Sequence, residues 1–119
     1  MKAALTALLS KARAMVRDAL TAVRDKLMRR RLSYKALFFS DYARGELSPA
    51  GRVVLADLTK FCRGLTSTTV VSQHSGMVDP IASAIAEGRR EVYLRIMKEL
   101  NLDVSAAMSA VRDDDALAA

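Results

Sequence analysis

The sequence predicts an all-α protein with a long basic amino-terminal helix, a small helical hairpin-like domain and a short carboxy-terminal helix. Apolar residues recur at three- and four-residue steps, two Ser/Asp-Pro pairs mark helix starts, and no Gly or Pro precedes Gly45. Aromatic residues make up only 5% of the chain and Trp is absent. Because Ala favours helices more than it fills a core, we expect thin helical packing that a partner or self-association completes.

The first helix is predicted over residues 3–31. Its apolar positions follow helical spacing and form one stripe: Leu5, Leu8, Leu9, Ala12, Val16, Ala19, Leu20, Val23 and Leu27. Polar side chains, among them Arg13, Arg17 and Arg24, occupy the opposite side. The stripe is therefore a candidate interface.

Basic residues are concentrated at the amino-terminal end. Residues 1–35 hold ten Lys and Arg and two Asp, a net charge of +8, whereas the other 84 residues hold nine bases and eleven acids. This asymmetry predicts a phosphate-bearing or otherwise acidic partner for the first third. We divide the chain into a basic amphipathic arm at 1–35 and a compact helical domain at 36–119.

Residues 32–44 form a junction whose secondary structure the sequence does not decide. Its apolar residues 37–39 should pack into the core. A second helix begins after it, where Ser48 can act as N-cap and Pro49 suits the first helical position. Its helically spaced apolar residues are Val53, Val54, Leu58, Phe61 and Leu65.

The third helix repeats this start with Asp79 and Pro80, and Asn101 should end it. Its predicted apolar stripe is Ile81, Ile85, Val92, Ile96 and Leu100, with Gly88 on the same line. We expect residues 48–64 and 80–101 to pack antiparallel, with residues 37–39 covering one end of the pair. A close contact would explain Gly88.

Two segments are expected to be less ordered. Residues 65–79, which follow a possible helix stop at Gly64, are polar and read as a mobile loop. A fourth helix, capped by Asp103, is predicted to run through Arg112, before an acidic run and an Ala-rich end that should fray.

Catalytic and metal-binding chemistry is not indicated. The chain has one histidine, His74, and one cysteine, Cys62, whose apolar helix is typical of a small core residue. The acidic run lacks the spacing and glycine of a calcium loop. We therefore expect no enzyme activity, no cofactor, no metal and no small-molecule substrate.

The lone cysteine excludes an intrachain disulfide and favours a reducing compartment. No segment is long and apolar enough to predict a membrane span. The apolar start ends at Ser10-Lys11 and basic residues follow, so a signal peptide is not expected either.

The candidate contacts to phosphate or to an acidic partner are Arg24, Lys26, Arg29, Arg30, Arg31 and Lys35. They could neutralise DNA phosphates, or the amphipathic face could lie on an anionic membrane. A third interpretation, which we favour, is a solvated or acid-facing side of a helix that packs in a bundle. The absence of aromatic residues from this helix argues against single-strand recognition.

Three further arginines, Arg52, Arg89 and Arg90, lie beside glycines and are candidate interface residues. The alternative that we prefer is an internal ion pair between packed helices, for example Arg90 with Asp57 or Arg52 with Glu91.

Short motifs resemble a family of small tailed-bacteriophage proteins that is named after a Bordetella podophage. They are FFS at 38–40, GRVVLADL at 51–58 with Phe61-Cys62, and EGRREV at 87–92 with Ile96. The similarity covers about residues 38–100 and leaves the basic helix outside. It implies a protein of the phage particle or its assembly, encoded among head and packaging genes, and carries over no catalytic residues.

The sequence thus predicts a structural or assembly component of a tailed-phage virion. It would dock as repeated copies onto other virion proteins or itself, in the virion or in the host cytoplasm during assembly. The alternatives are a DNA-binding accessory protein in packaging and, less favoured, a membrane-active protein ejected with the genome.

Overall fold

The computed structural model describes residues 1–41 and 43–118. It forms two units, Met1–Ser33 and Tyr34–Ala119, and each is described by itself below. Four helices and one small hairpin make up the described chain. The predicted all-α class, with a long first and a short last helix, is confirmed.

Helix α1 (Lys2–Phe38) is longer than predicted. The junction expected at 32–44 is helical up to Phe38, because neither Gly nor Pro interrupts the chain there. In the second unit, Tyr34 is half-buried and Phe38 is buried, in a cluster with Phe39 and Leu100. Residues 38 and 39 thus enter the core as predicted, whereas Leu37 is 77% exposed.

A two-stranded antiparallel hairpin follows, and the sequence did not predict it. Strand β1 (Phe39–Asp41) pairs with β2 (Glu46–Leu47), and an irregularity separates the two paired positions. Asp41 Oδ1 accepts hydrogen bonds from the amides of Ala43 and Arg44, and Gly45 adopts a positive φ of 66°. A carboxylate that binds the next amides, followed by a left-handed residue, reverses the chain.

Helix α2 (Pro49–Phe61) begins as predicted. Ser48 Oγ accepts a hydrogen bond from the Gly51 amide at 2.9 Å, and the Ser48 amide and hydroxyl both donate to the Phe38 carbonyl. The cap therefore joins the start of α2 to the end of α1. Gly51 is buried at this contact, where a Cβ would overlap the Phe38 carbonyl oxygen.

Helix α3 (Pro80–Leu100) has the predicted ends. Asp79 Oδ1 accepts hydrogen bonds from the amides of Ile81 and Ala82, and Asn101 ends the helix in the left-handed region. Asp103 likewise caps helix α4 (Val104–Ala118) by accepting from the Ala106 amide.

The packing of the helices differs from the prediction. The chief partner of α2 is α4, which lies along it, while α3 contacts α2 through a narrower area. The core combines small side chains with a few larger ones: Leu55, Ala56, Cys62, Tyr93, Met97, Ala107 and Ala110. Alanines on α4 allow α2 and α4 to approach closely. The sequence analysis missed this contact because it judged the packing faces by their large side chains.

The predicted apolar stripes are only partly buried. In α3, Leu100 is buried and Ile96 half-buried, but Ile81, Ile85 and Val92 are exposed. In α2, Val53, Val54, Phe61 and the nearby Leu65 are exposed, and Leu58 is half-buried. The helices instead bury a neighbouring face, through Leu55, Thr59 and Tyr93.

Gly88 makes no close contact, contrary to the prediction, because a Cβ there would meet no atom within 4 Å. The segment between α2 and α3 has its own hydrogen bonds. Val71 and Val78 form an antiparallel bridge, and Ser83 Oγ accepts from the Val70 amide at 2.9 Å. The mobility of residues 65–79 stays a prediction.

Helix α4 extends six residues beyond the predicted end at Arg112, through the acidic run. Asp113 pairs with Arg52 at 2.9 Å, and Lys60 pairs with Asp114 and Asp115. Both hydrogen bonds raise the pKa of Lys60, that to Asp115 most. These pairs offset the charge repulsion within the run, although exposed ion pairs contribute little each.

Candidate functional site

The apolar stripe of α1 lies in the first unit. At 100° per residue, Leu5, Leu8, Leu9, Val16, Leu20, Val23 and Leu27 fall within an arc of about 120°. Each of these side chains is about half or more exposed, for example 59% at Val16. The stripe is therefore a continuous apolar surface open to a partner.

A row of arginines borders this stripe. Arg17, Arg24 and Arg31 are seven residues apart, so they lie on one line along the helix, about 10.5 Å from one to the next. A shallow apolar groove runs beside the row and is lined by Leu9, Ala12, Arg13, Val16, Arg17, Leu20, Thr21 and Arg24. Guanidinium groups thus border an apolar surface.

The other charges of α1 are placed around this arrangement. Lys26 lies at the second border of the stripe, whereas Lys11, Asp18 and Asp25 face away from it, about 120–160° from its centre. Both borders of the stripe are therefore basic. A partner helix or surface that packs on the stripe would be complementary in charge if it carried acidic groups at its own borders.

The arginine triplet predicted as one site is divided by the helix. Arg29, Arg30 and Arg31 project about 100° apart from one residue to the next, so they do not form one patch. Arg31 joins the row with Arg17 and Arg24, and Arg30 is half-buried. The sequence analysis did not name Arg13 and Arg17 as candidate contacts. Their spacing was the signal for them, because Arg17 follows Arg13 after four residues and the next arginines of the row follow at steps of seven.

Lys35 is placed apart from the other candidates. It lies in the last turn of α1, within the second unit, and is half-buried. The row on the first unit therefore consists of arginines, which can bind carboxylates or phosphates with two parallel hydrogen bonds.

The three arginines of the compact unit make internal contacts, with partners other than those predicted. Arg52 pairs with Asp113 rather than Glu91, and Arg90 Nη1 donates to the Thr66 carbonyl at 3.4 Å rather than to Asp57. The Arg89 guanidinium carbon lies 4.6 Å from the centre of the Phe61 ring, a cation–π contact. Two of the three thus bind polar groups that lie far from them in sequence.

Cys62 and His74 do not form an evident reactive centre. Cys62 is buried in the core, and this burial is the main cause that raises the pKa of its thiol. His74 is exposed in the segment between α2 and α3, where its amide donates to Ser72 Oγ. Within residues 1–41 and 43–118, no group of His, Cys, Asp and Glu could hold a metal ion.

Burial of Cys62 leads to a testable prediction. With 5% exposure and a raised pKa, its thiolate is both scarce and inaccessible. We expect a disulfide reagent at neutral pH to modify the native protein at least about tenfold more slowly than the urea-unfolded protein. Equal rates in the two states would show that the core around Cys62 opens readily.

In the part of the chain that the structure describes, none of the helices has the length and hydrophobicity of a membrane-spanning segment.

Thr6, Thr21 and Ser33 donate their side-chain hydrogen bonds to carbonyls four residues earlier in α1. The polar side of this helix is therefore satisfied in part by its own backbone.

Comparison with known proteins identifies the compact unit. Neither the curated proteins nor the solved structures contain a significant match to the chain. The family model of the Bbp19-like phage proteins matches residues 34–115, which is more than half of the chain and nearly all of the second unit. Residues 1–33, with the apolar stripe and the arginine row, lie outside the match. The chain therefore belongs to the Bbp19-like phage protein family.

Proposed function

We propose that this phage protein is a structural or assembly component of a tailed-phage particle. In this proposal α1 docks onto an acidic surface of another virion protein, in repeated copies, in the virion or in the host cytoplasm during assembly. The observation that carries the proposal is the exposed apolar stripe of α1 with basic side chains at both borders.

The stripe favours a protein partner over DNA. Burying a Leu or Val side chain contributes about 1.5–3 kcal/mol relative to leaving it in water. A DNA backbone would pair with the arginines but would leave seven exposed Leu and Val side chains of the stripe uncovered. An apolar helix face with acidic borders would cover the stripe and neutralise the row together.

DNA binding is the second candidate, since residues 1–35 carry a net charge of +8. In that case α1 would act as an accessory in packaging by gripping backbone phosphates. An anionic membrane could also use both the stripe and the bases. However, residues 1–33 contain no aromatic residue and many alanines, a composition that inserts weakly into a bilayer.

Docking through the stripe predicts a position-specific loss of incorporation. In a phage that encodes the protein, Val16→Lys combined with Val23→Lys should reduce its copy number in purified particles at least about tenfold, because two charges would enter the apolar contact. Quantitative mass spectrometry of banded particles measures the copy number. Ala7→Lys combined with Ala14→Lys, which adds the same charge at the same spacing on the opposite side of α1, is the matched control and should be incorporated normally.

Two results would contradict docking. The protein could be absent from purified wild-type particles and from assembly intermediates, or the stripe variant could be incorporated as well as the control variant with lysines at positions 7 and 14. Since Val16 and Val23 are exposed, both variants should keep their helical circular dichroism.

Salt dependence distinguishes the DNA alternative. If α1 binds phosphates, affinity for a random-sequence duplex should fall about a thousandfold between about 50 and 200 mM salt. Replacing Arg17, Arg24 and Arg31 with Gln should flatten that dependence, as measured by fluorescence anisotropy. We expect the wild-type protein to show only weak duplex binding, and vesicles with and without anionic lipid to bind equally little.

A further inference from the structure

A second exposed apolar surface lies on the compact unit, which we call the α2–α3 face. It consists of Val54 and Phe61 on α2 and of Ile85 and Val92 on α3, all about half or more exposed. The contact between Arg89 and the Phe61 ring joins the two helices at its centre.

Helical spacing extends the face from this contact. Val54 lies seven residues before Phe61, while Ile85 and Val92 lie four before and three after Arg89, so each set shares one side of its helix. The core contacts of these helices are made by other residues, such as Leu55 and Tyr93. Part of the apolar stripe of α3 therefore lies on the surface of the compact unit. An exposed apolar surface of this kind is typical of a region that a partner covers.

The charges of the face are balanced. Asp57 lies on α2 between Val54 and Phe61 and is exposed, and Arg89 lies on α3. Within the described residues, Asp57 forms no ion pair, and the contact of Arg89 is with an aromatic ring. An acid on one helix and a base on the other make the face complementary to itself when it is rotated by 180°.

We propose that the α2–α3 face binds a second copy of this chain around a two-fold axis, with Asp57 of each protomer opposite Arg89 of its partner. Self-association through α1 is disfavoured by comparison, because both borders of its stripe are basic and two copies would place base against base. The compact unit therefore supplies the contact between copies, and the α1 stripe remains available for a different protein.

Molar mass by light scattering on the full chain tests the proposal. The wild-type protein should reach twice the monomer mass of 13.0 kDa as its concentration rises. Val92→Glu should return it to the monomer mass, because an unpaired carboxylate would be buried at the interface. Leu94→Glu on the same helix, at a position 52% exposed and away from the face, is the matched control and should dimerise normally.

Charge exchange tests the register of the two copies. Asp57→Arg and Arg89→Asp should each raise the dimer dissociation constant at least about tenfold, because each places like charges opposite one another twice in a two-fold dimer. The double variant should recover most of the affinity. Recovery depends on opposed charges, so a general loss of folding would not produce it.

Three results would overturn the proposal: a wild-type monomer at every concentration, a dimer that Val92→Glu leaves intact, or a double charge variant as weak as the two single variants. Incorporation of the α1 variants into particles is a separate measurement. Dimerisation can therefore fail while docking through α1 holds, or the reverse.

Discussion

Leu100→Ala is expected to lower the free energy of unfolding of the compact unit by about 2–5 kcal/mol. Leu100 is 1% exposed and is one of the two largest fully buried side chains. It contacts the cluster of Phe38 and Phe39, which connects the end of α1 to the hairpin. Shortening it removes buried methyl groups and leaves a cavity between elements that are far apart in sequence.

The matched control is Leu94→Ala, six residues earlier in α3. Leu94 is 52% exposed, and Ala has a helix propensity at least equal to that of Leu. We expect a change within about 0.5 kcal/mol there. Urea unfolding followed by circular dichroism, and in parallel by modification of Cys62, measures both variants. Equal losses at the two positions would contradict the burial of Leu100.

The starts of α2, α3 and α4 and the end of α3 were predicted correctly because they depend on neighbouring residues. Ser48 with Pro49 and Asp79 with Pro80 place an accepting oxygen and a residue of fixed φ at the start of each helix. Asn101 tolerates the left-handed conformation that ends α3. Each of these signals acts within a few residues, so the sequence displays it directly.

Packing partners were harder to predict, because they depend on surfaces that are distant in sequence. In α2, two apolar faces compete, and the prediction selected the one with larger side chains, including Phe61. The buried face uses Leu55, Ala56 and Thr59, because it lies close to the alanines of α4. Thr59 is accommodated there by its hydrogen bonds to the Leu55 carbonyl and to the Tyr93 hydroxyl.

Two other elements had no sequence signal of sufficient length. Strands of three and two residues are too short to show a period of two, so the hairpin at Phe39–Asp41 and Glu46–Leu47 was not predicted. The acidic end of α4 was predicted to be a frayed tail, because the bases that pair with it, Arg52 and Lys60, lie 61 and 54 residues away from their partners.

The candidate site was predicted in composition but only partly in arrangement. The apolar stripe and the basic excess of α1 follow from the sequence, and the structure retains both on one helix. The sequence analysis missed how the stripe and the basic residues are arranged. A row of arginines at seven-residue spacing borders the stripe. The three consecutive arginines at 29–31 face different directions and do not form one patch. Helical projection converts neighbours in sequence into residues that face different directions.

Gly51 and Gly88 provide the second large prediction, because the same substitution should have opposite effects at the two positions. Both glycines lie in helices, where Ala is favoured over Gly by about 1 kcal/mol. At Gly88 nothing lies within 4 Å of the added Cβ. Gly88→Ala should therefore raise the free energy of unfolding by about 0.5–1 kcal/mol.

At Gly51 the added Cβ would overlap the Phe38 carbonyl oxygen, a backbone atom fixed by hydrogen bonds from the Ser48 amide and hydroxyl. Because neither backbone can shift without breaking the cap of α2, the cost should lie at the upper end of about 1–3 kcal/mol and exceed the gain in helix propensity. Urea unfolding of both variants beside wild type measures the two effects. A Gly51→Ala variant as stable as Gly88→Ala would mean that α1 and α2 do not meet closely at Phe38. A loss confined to Gly51 would show that the Phe38 carbonyl, which the cap of α2 requires, sets how close the two helices lie.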